Sequence, residues 1–294
     1  MTIKNNMKKG LLIPILIISL TVFGQQYKPG KKGGLYSTGQ DNVDKGWFFG
    51  LGLTYMQPYT PVSETVENPD SNGVIQSKET YFAQPKNTFM KSLTTQLGLF
   101  AEIGKFKMTD KRFINYIDYG LSYKWFRGGE DYTAKYYDGN NNLLNQVNER
   151  GSYNDHLISA NLNLGYRFDQ SDDFFYVNGL GLNLDYAIIK SRTPTPAIPN
   201  NADYTDGPNS LLGEMHYFFG MGFKKGRMII MPVVETPILA LFPFNHIVST
   251  HPYFNTRARP WLIRVRFMFL KKGSKSCPAV YNPMGIDPNG NGPK

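Results

Sequence analysis

Long stretches of this chain alternate apolar and polar residues with a period of two, the spacing of a β-strand whose two faces meet different surroundings. The first such run, residues 47–56, sets Trp47, Phe49, Leu51, Leu53 and Tyr55 against Phe48, Gly50, Gly52, Thr54 and Met56. A second, 92–105, sets Leu93, Leu97, Leu99, Ala101 and Ile103 against Gln96, Gly98, Phe100 and Glu102. A third, 113–126, opposes Ile117, Tyr119, Leu121, Tyr123 and Trp125 to Asp118, Gly120, Ser122 and Lys124. The same rhythm predicts strands over 156–168, around 176–186, and over 211–224 and 261–269. A further strand is expected from 228 to about 235, with its faces unassigned, because Met228 to Met231 is continuously apolar and Pro232 interrupts the ladder.

The connections between these eight runs are alternately long and short, the long ones being 59–90, 127–155, 189–210 and 236–259. Strand lengths near the 9 to 11 residues of a tilted membrane-spanning strand, in this order, predict an all-β fold. That fold is an eight-stranded antiparallel up-and-down transmembrane β-barrel over 46–270, with long extracellular loops. A soluble β-sandwich is the competing reading. Outer-membrane barrels keep their long loops outside and their short turns in the periplasm, so both termini are expected in the periplasm.

The beginning of the chain supports export. Lys4, Lys8 and Lys9 precede an apolar run from Leu11 to Phe23, too short for a spanning helix of roughly 20 residues but suited to a secretory signal. Val22 and Gly24 place small residues where a signal peptidase reads, so a signal is expected over 1–24, followed by a periplasmic leader over 25–45 and a periplasmic tail over 271–294. Removing the signal leaves 29 basic against 23 acidic residues, lowering the net charge from +9 to +6. The basic residues are spread along the strands and towards the ends, without a patch that would suit nucleic acid. A mean hydropathy of −0.37 is low for a helical membrane protein, whereas a barrel conceals its apolar content in alternation. The single cysteine, Cys277, excludes an internal disulfide framework.

On the faces assigned to the lumen, Glu102, Asp118, Asp185 and Glu214 meet Lys124, Arg167, Lys224, Arg264 and Arg266. An eight-stranded interior is just wide enough for side chains, so this near-balance predicts a lumen closed by an ionic network; an aqueous or ligand-carrying pore is the alternative. His216 is expected within the same network. Ser249, His251 and His246 lie in the fourth loop without a recognisable acidic partner, and two histidines five apart lack a third metal ligand. No catalytic residue, cofactor or metal is assigned, and the chain is read as a non-enzyme.

The fourth loop is unusually apolar for a segment expected to meet water. Ile238 to Phe244 continues through Ile247, Val248, Tyr253 and Phe254, so a neighbouring protein or lipid is expected to cover it, the alternative being that it packs on the barrel mouth or extends strand seven. Leu241, Phe242, Phe244, Ile247, Tyr253 and Phe254 are therefore candidate partner-binding residues, with Cys277 and Tyr281 in the Pro/Gly/Asn-rich tail as a second contact.

Three segments carry a family resemblance: the signal ending Val22-Phe23-Gly24-Gln25, the Gly-alternating Phe48-Phe49-Gly50-Leu51-Gly52-Leu53, and the aromatic closing strand from Trp261 to Phe269. On these the mature chain resembles the small outer-membrane β-barrel proteins of Bacteroidota, including barrels associated with type IX secretion, gliding or outer-membrane assembly. The resemblance implies an outer-membrane location, contact with lipid and with other envelope subunits, and a non-enzymatic accessory or scaffold role. A narrow porin or a lipid-modifying enzyme are the alternatives.

Overall fold

The computed structural model describes residues 43–85, 97–109, 113–242 and 249–271. Eleven strands run antiparallel through them: β1 (Asp44–Thr60), β2 (Val62–Pro69), β3 (Ile75–Pro85), β4 (Leu97–Met108), β5 (Tyr116–Asp138), β6 (Leu143–Asp169), β7 (Phe174–Thr193), β8 (Leu211–Lys225), β9 (Met228–Phe242), β10 (His251–Tyr253) and β11 (Thr256–Leu270). Eight of them close a ring in the order β1-β4-β5-β6-β7-β8-β9-β11, and β11 returns to β1 through a ladder from Gly46↔Leu270 to Thr60↔Arg257. Closure satisfies the backbone of every strand on both sides and leaves no open edge in the ring.

The alternating pattern decides which way each strand faces. Leu51, Leu53, Leu99, Ile103, Tyr119, Leu121, Ile158, Leu162, Leu180, Leu182, Ile230 and Ile263 stand exposed on the outside. Phe48, Glu102, Asp118, Lys124, Asn163, Asp185, His216, Arg264 and Arg266 are buried inside. The exterior is thus an apolar band to which all eight ring strands contribute, Phe223 standing for β8. Near the short-turn end the band carries aromatic pairs, among them Trp47–Phe269 at 4.5 Å, Phe49–Phe267 at 5.0 Å and Phe174–Phe223 at 4.9 Å between ring centroids.

Strand β9 runs further than the sequence pattern suggests. The stretch 236–242, expected to begin the fourth loop, continues the ladder with β8 through His216↔Pro237, Met215↔Leu239, Glu214↔Ala240 and Gly213↔Phe242. Two register shifts on β8 take up the irregularity, and the β8 ladder has no pair at Pro232, which supplies no N–H. Ile229, Met231, Val233 and Glu235 are buried, which assigns the inward face of this strand.

The expected outer loop 127–155 is corrected in the same way. It is a continuation of β5 and β6, paired from Arg127↔Asn154 out to Tyr137↔Leu143. Within the first connection, β2 and β3 form a hairpin whose β3 lies along the outer part of β5, from Pro85↔Glu130 to Ser77↔Asp138. Beyond the ring, β2-β3-β5-β6 therefore make a four-stranded sheet. Its buried face packs Tyr81, Ala83, Tyr132 and Ala134 around Ile198 from the β7–β8 connection. The segments 1–42 and 272–294, with most of the expected leader and tail, lie outside the described residues.

Candidate functional site in the barrel lumen

The lumen is filled in three tiers. At the short-turn end Phe48, Phe106, Tyr116, Phe175, Phe218 and Met268 form an apolar layer. At the other end Phe100, Phe126, Leu157 and Leu262 meet Tyr253 and Phe254, which descend from the β9–β11 connection. Between them lies a polar and ionic tier.

Arg266 organises that tier. Alternation turns it inward on β11, opposite Gly50 of β1, and Gly50 in turn faces Glu102 of β4. A Cβ at Gly50 would stand 2.4 Å from the Glu102 carboxylate, so glycine there is what lets the two charges meet across a strand. The guanidinium donates through Nε and Nη2 to the two Glu102 oxygens at 2.6 and 2.9 Å. Its Nη1 donates to Asp118 Oδ2 at 2.6 Å and to the Tyr116 hydroxyl at 3.2 Å. The planar group also lies over the Phe48 ring, 4.5 Å from its centroid.

Arg264 joins the network with Nη1 2.6 Å from Glu235 Oε2 and Nε 3.0 Å from Glu102 Oε1. Asn183 donates to the other Glu235 oxygen at 2.9 Å, and Asn163 donates to Asp118 at 2.7 Å. His216 Nε2 is 2.6 Å from Asn163 Oδ1, an oxygen that only accepts, so the ring proton sits on Nε2. Glycine again makes the space, since a Cβ at Gly181 would stand 2.2 Å from that nitrogen. Higher up, Lys124 Nζ reaches both oxygens of Asp185 at 2.9 and 3.0 Å. With both partners buried and hydrogen-bonded, each pair roughly offsets its own desolvation; the large cost falls on losing one partner.

Of the charges assigned to the lumen from the sequence, the structure brings Glu102, Asp118, Lys124, Asp185, Arg264 and Arg266 into this tier. Glu214 lies above it, accepting from Ser249 Oγ and, at 2.9 Å, from His251 Nε2. Arg167 and Lys224 do not join. Arg167 Nε pairs with Asp169 at 2.9 Å, and Lys224 pairs with Asp44 at 3.3 Å, both near the short-turn end where water meets the strands. Glu235 was not assigned from the sequence, because the apolar run before it hides the face of its strand.

Among the described residues, the far end of the apolar fourth loop turns inward while its near end stays exposed. Tyr253 and Phe254, expected as partner anchors, are buried within this chain, so that assignment is corrected: they cap the barrel mouth. Tyr253 stacks on Tyr153 with centroids 3.6 Å apart and donates to Asp155 at 2.9 Å, while Arg192 holds the same carboxylate at 2.6 Å. Burial pushes both phenols well above their ordinary 10.0, which keeps them neutral. Phe254 takes a left-handed φ of 56° and exchanges backbone hydrogen bonds with Thr205, pinning two outer connections together. Leu241 and Phe242 remain exposed at the end of β9. Phe244, Ile247, Cys277 and Tyr281 lie outside the described residues.

Ser249, His251 and Glu214 do meet, yet serine and histidine both donate to the same Glu214 oxygen. In a hydrolytic triad the histidine stands between the nucleophile and the acid, an order this cluster does not have. Among the described residues no group of three potential ligands could hold a metal ion.

No family model matches the chain, and no curated protein does. Among solved structures the chain is similar to the outer membrane protein OprG from Pseudomonas aeruginosa, at 12% identity and a TM-score of 0.28, over 76% of this chain and 93% of that one. The assignment of the barrel rests on the chain's own closed circuit of ladders.

Proposed function

We propose that the protein is an outer-membrane β-barrel with a sealed lumen that acts, without enzymatic activity, as an accessory or scaffold subunit of an envelope complex. The observation that carries this reading is the filled interior. Two apolar tiers enclose buried ion pairs, and Arg266 has every nitrogen hydrogen-bonded to Glu102, Asp118 or Tyr116. The apolar exterior of the ring supports the membrane location, since so much exposed leucine and isoleucine in water would be costly, whereas lipid covers it at no loss. The four-stranded sheet beyond the ring, and the exposed Leu241 and Phe242, offer surfaces to other subunits. The family resemblance points to secretion, gliding or outer-membrane assembly as the setting.

A narrow porin or small-ligand transporter is the second reading. It draws on Ser122 Oγ, Ser159 Oγ and Asn161 Oδ1, buried lumen atoms without a protein partner, which water could join. Conductance across a planar bilayer separates the two. The refolded protein is expected to insert without steady ion current, and crosslinks from the outer sheet in intact cells are expected to capture a neighbouring protein. A steady open-channel current would replace the scaffold reading with the porin.

A further inference from the structure

Lys45 and Lys107 lie directly opposite each other on β1 and β4, both exposed and on the outward face of the ring. Two like charges so placed repel, and a strand pair tolerates them best when an anion lies between. Lys105 is two residues along the same face of β4, paired with Trp47 across the ladder and with Tyr119 on β5. Lys271 is drawn to the same place by its backbone N–H, which donates to the Lys45 carbonyl at 2.8 Å. Arg227, from the β8–β9 turn, completes the cluster and lends one Nη2 contact to the Leu270 carbonyl at 3.3 Å.

These five cations border one groove of about 890 Å³ whose floor is Trp47, Phe269, Ile117 and Tyr119. Among the described residues none of the five forms an ion pair. The acid nearest in sequence, Asp44, lies on the other face of β1 and is held by Lys224. Several cations at the other end are matched, for Arg192, Arg150 and Arg257 each pair with an aspartate. The unpaired cluster sits where the apolar band ends, with exposed aromatic side chains immediately beside it.

The geometry points to a binding site for an anionic phospholipid of the leaflet at the short-turn end, with its phosphate among Lys45, Lys105, Lys107 and Lys271 and its acyl chains along Trp47 and Phe269. Basic clusters at a membrane boundary hold anionic headgroups in this way, each lysine contributing roughly 1 kcal/mol near the surface, or about fivefold in affinity. The site rests on the membrane reading above; it adds which lipid the barrel selects and where.

The test uses the full chain folded in detergent and then in vesicles. Phosphatidylglycerol and phosphatidylethanolamine are titrated onto it, and bound lipid is read by native mass spectrometry. The wild type is expected to retain phosphatidylglycerol in preference, and the triple variant Lys45→Gln, Lys105→Gln, Lys107→Gln to lose about a hundredfold in that affinity. Lys135→Gln, in the outer sheet, is expected to leave it unchanged. Inorganic phosphate is expected not to displace the lipid, since the groove floor is apolar; displacement would assign the cluster to a free anion and overturn the lipid site. Equal retention of both headgroups, or of phosphatidylglycerol by wild type and triple variant, would overturn it too while leaving the membrane reading standing. A chain that enters vesicles of neither composition would overturn both.

Discussion

Strands β5 and β6 each pass through two environments, and their pattern reverses between them. On β5, the outward residues Ile117, Tyr119, Leu121, Tyr123 and Trp125 are apolar, and Asp118, Ser122 and Lys124 are buried inside. Past Phe126 the same outward face becomes Arg127, Asp131, Thr133 and Lys135, while the buried face becomes Tyr132 and Ala134 beside Glu130. On β6 the reversal falls near Leu157: Asn163, Asn161 and Ser159 face in below it, and His156, Asn154, Ser152 and Arg150 face out above it. Below the change the strand is polar inside and apolar outside; above it, the arrangement is that of a water-soluble sheet. Backbone pairing is continuous through the transition, so the difference lies in the surroundings, which the proposed membrane reading makes lipid on one side of the boundary and water on the other.

The sharpest way to break this comparison is to leave a charge alone in the inner tier. Lys124→Met strands Asp185 in the lumen and should cost about 3–5 kcal/mol, whereas the double change with Asp185→Leu should recover most of it. The temperature at which the folded barrel loses its heat-modifiable gel mobility reads both. Equal loss in single and double variants would show that the pair does not act as a unit.

Next in size is a charge on the outward face. Leu121→Lys should destabilise the barrel by about 2–4 kcal/mol if lipid covers that position, while Thr133→Lys, on the same face of the same strand, should stay within about 0.5 kcal/mol. Denaturant titration in vesicles measures the two side by side. Similar costs at both positions would remove the boundary drawn at Phe126.

At the boundary itself, Tyr253→Phe deletes the hydroxyl that Asp155 accepts and should cost about 1.5–3 kcal/mol, localised to the cap. Faster protease cutting of the outer connections, with barrel mobility unchanged, is the expected result. Smallest is an acid effect at the two hairpin tips, where backbone N–H groups of the tip hold Asp70 below the ordinary carboxylate value and the Asn142 side chain and backbone do the same for Asp138. A lowered folded value means that stabilisation is present above about 3.8, the ordinary value, and is lost as pH falls through the still lower folded one. Amide exchange at residues 70–74 and 138–142 should rise only in strong acid.

The number of ring strands, their antiparallel order and most inward faces were legible in the sequence itself. Alternation is a local property, and a strand that parts an apolar exterior from a packed lumen must display it. The length of β5 and β6 beyond the ring was not legible as strand, because a sheet in water alternates in the opposite sense and carries many polar residues; it reads as a loop. The partnership of Glu235 with Arg264 was hidden for another reason. Its strand begins with a continuous apolar run, from which parity cannot be counted.

By itself the sequence determined which residues turn inward on seven of the eight ring strands, and with them that Arg264, Arg266, Glu102, Asp118, Lys124 and Asp185 share one narrow interior. It did so because a two-residue period allows only two orientations, and a slip of one would put every leucine inside. Tertiary structure alone decided who pairs with whom. Arg266 meets Glu102 across Gly50 and Asp118 from three strands away, and Tyr253 comes down from a distant connection to stack on Tyr153. Those contacts depend on stagger around a closed ring and on how the outer connections fold back over it, and neither is written in the spacing of any one strand.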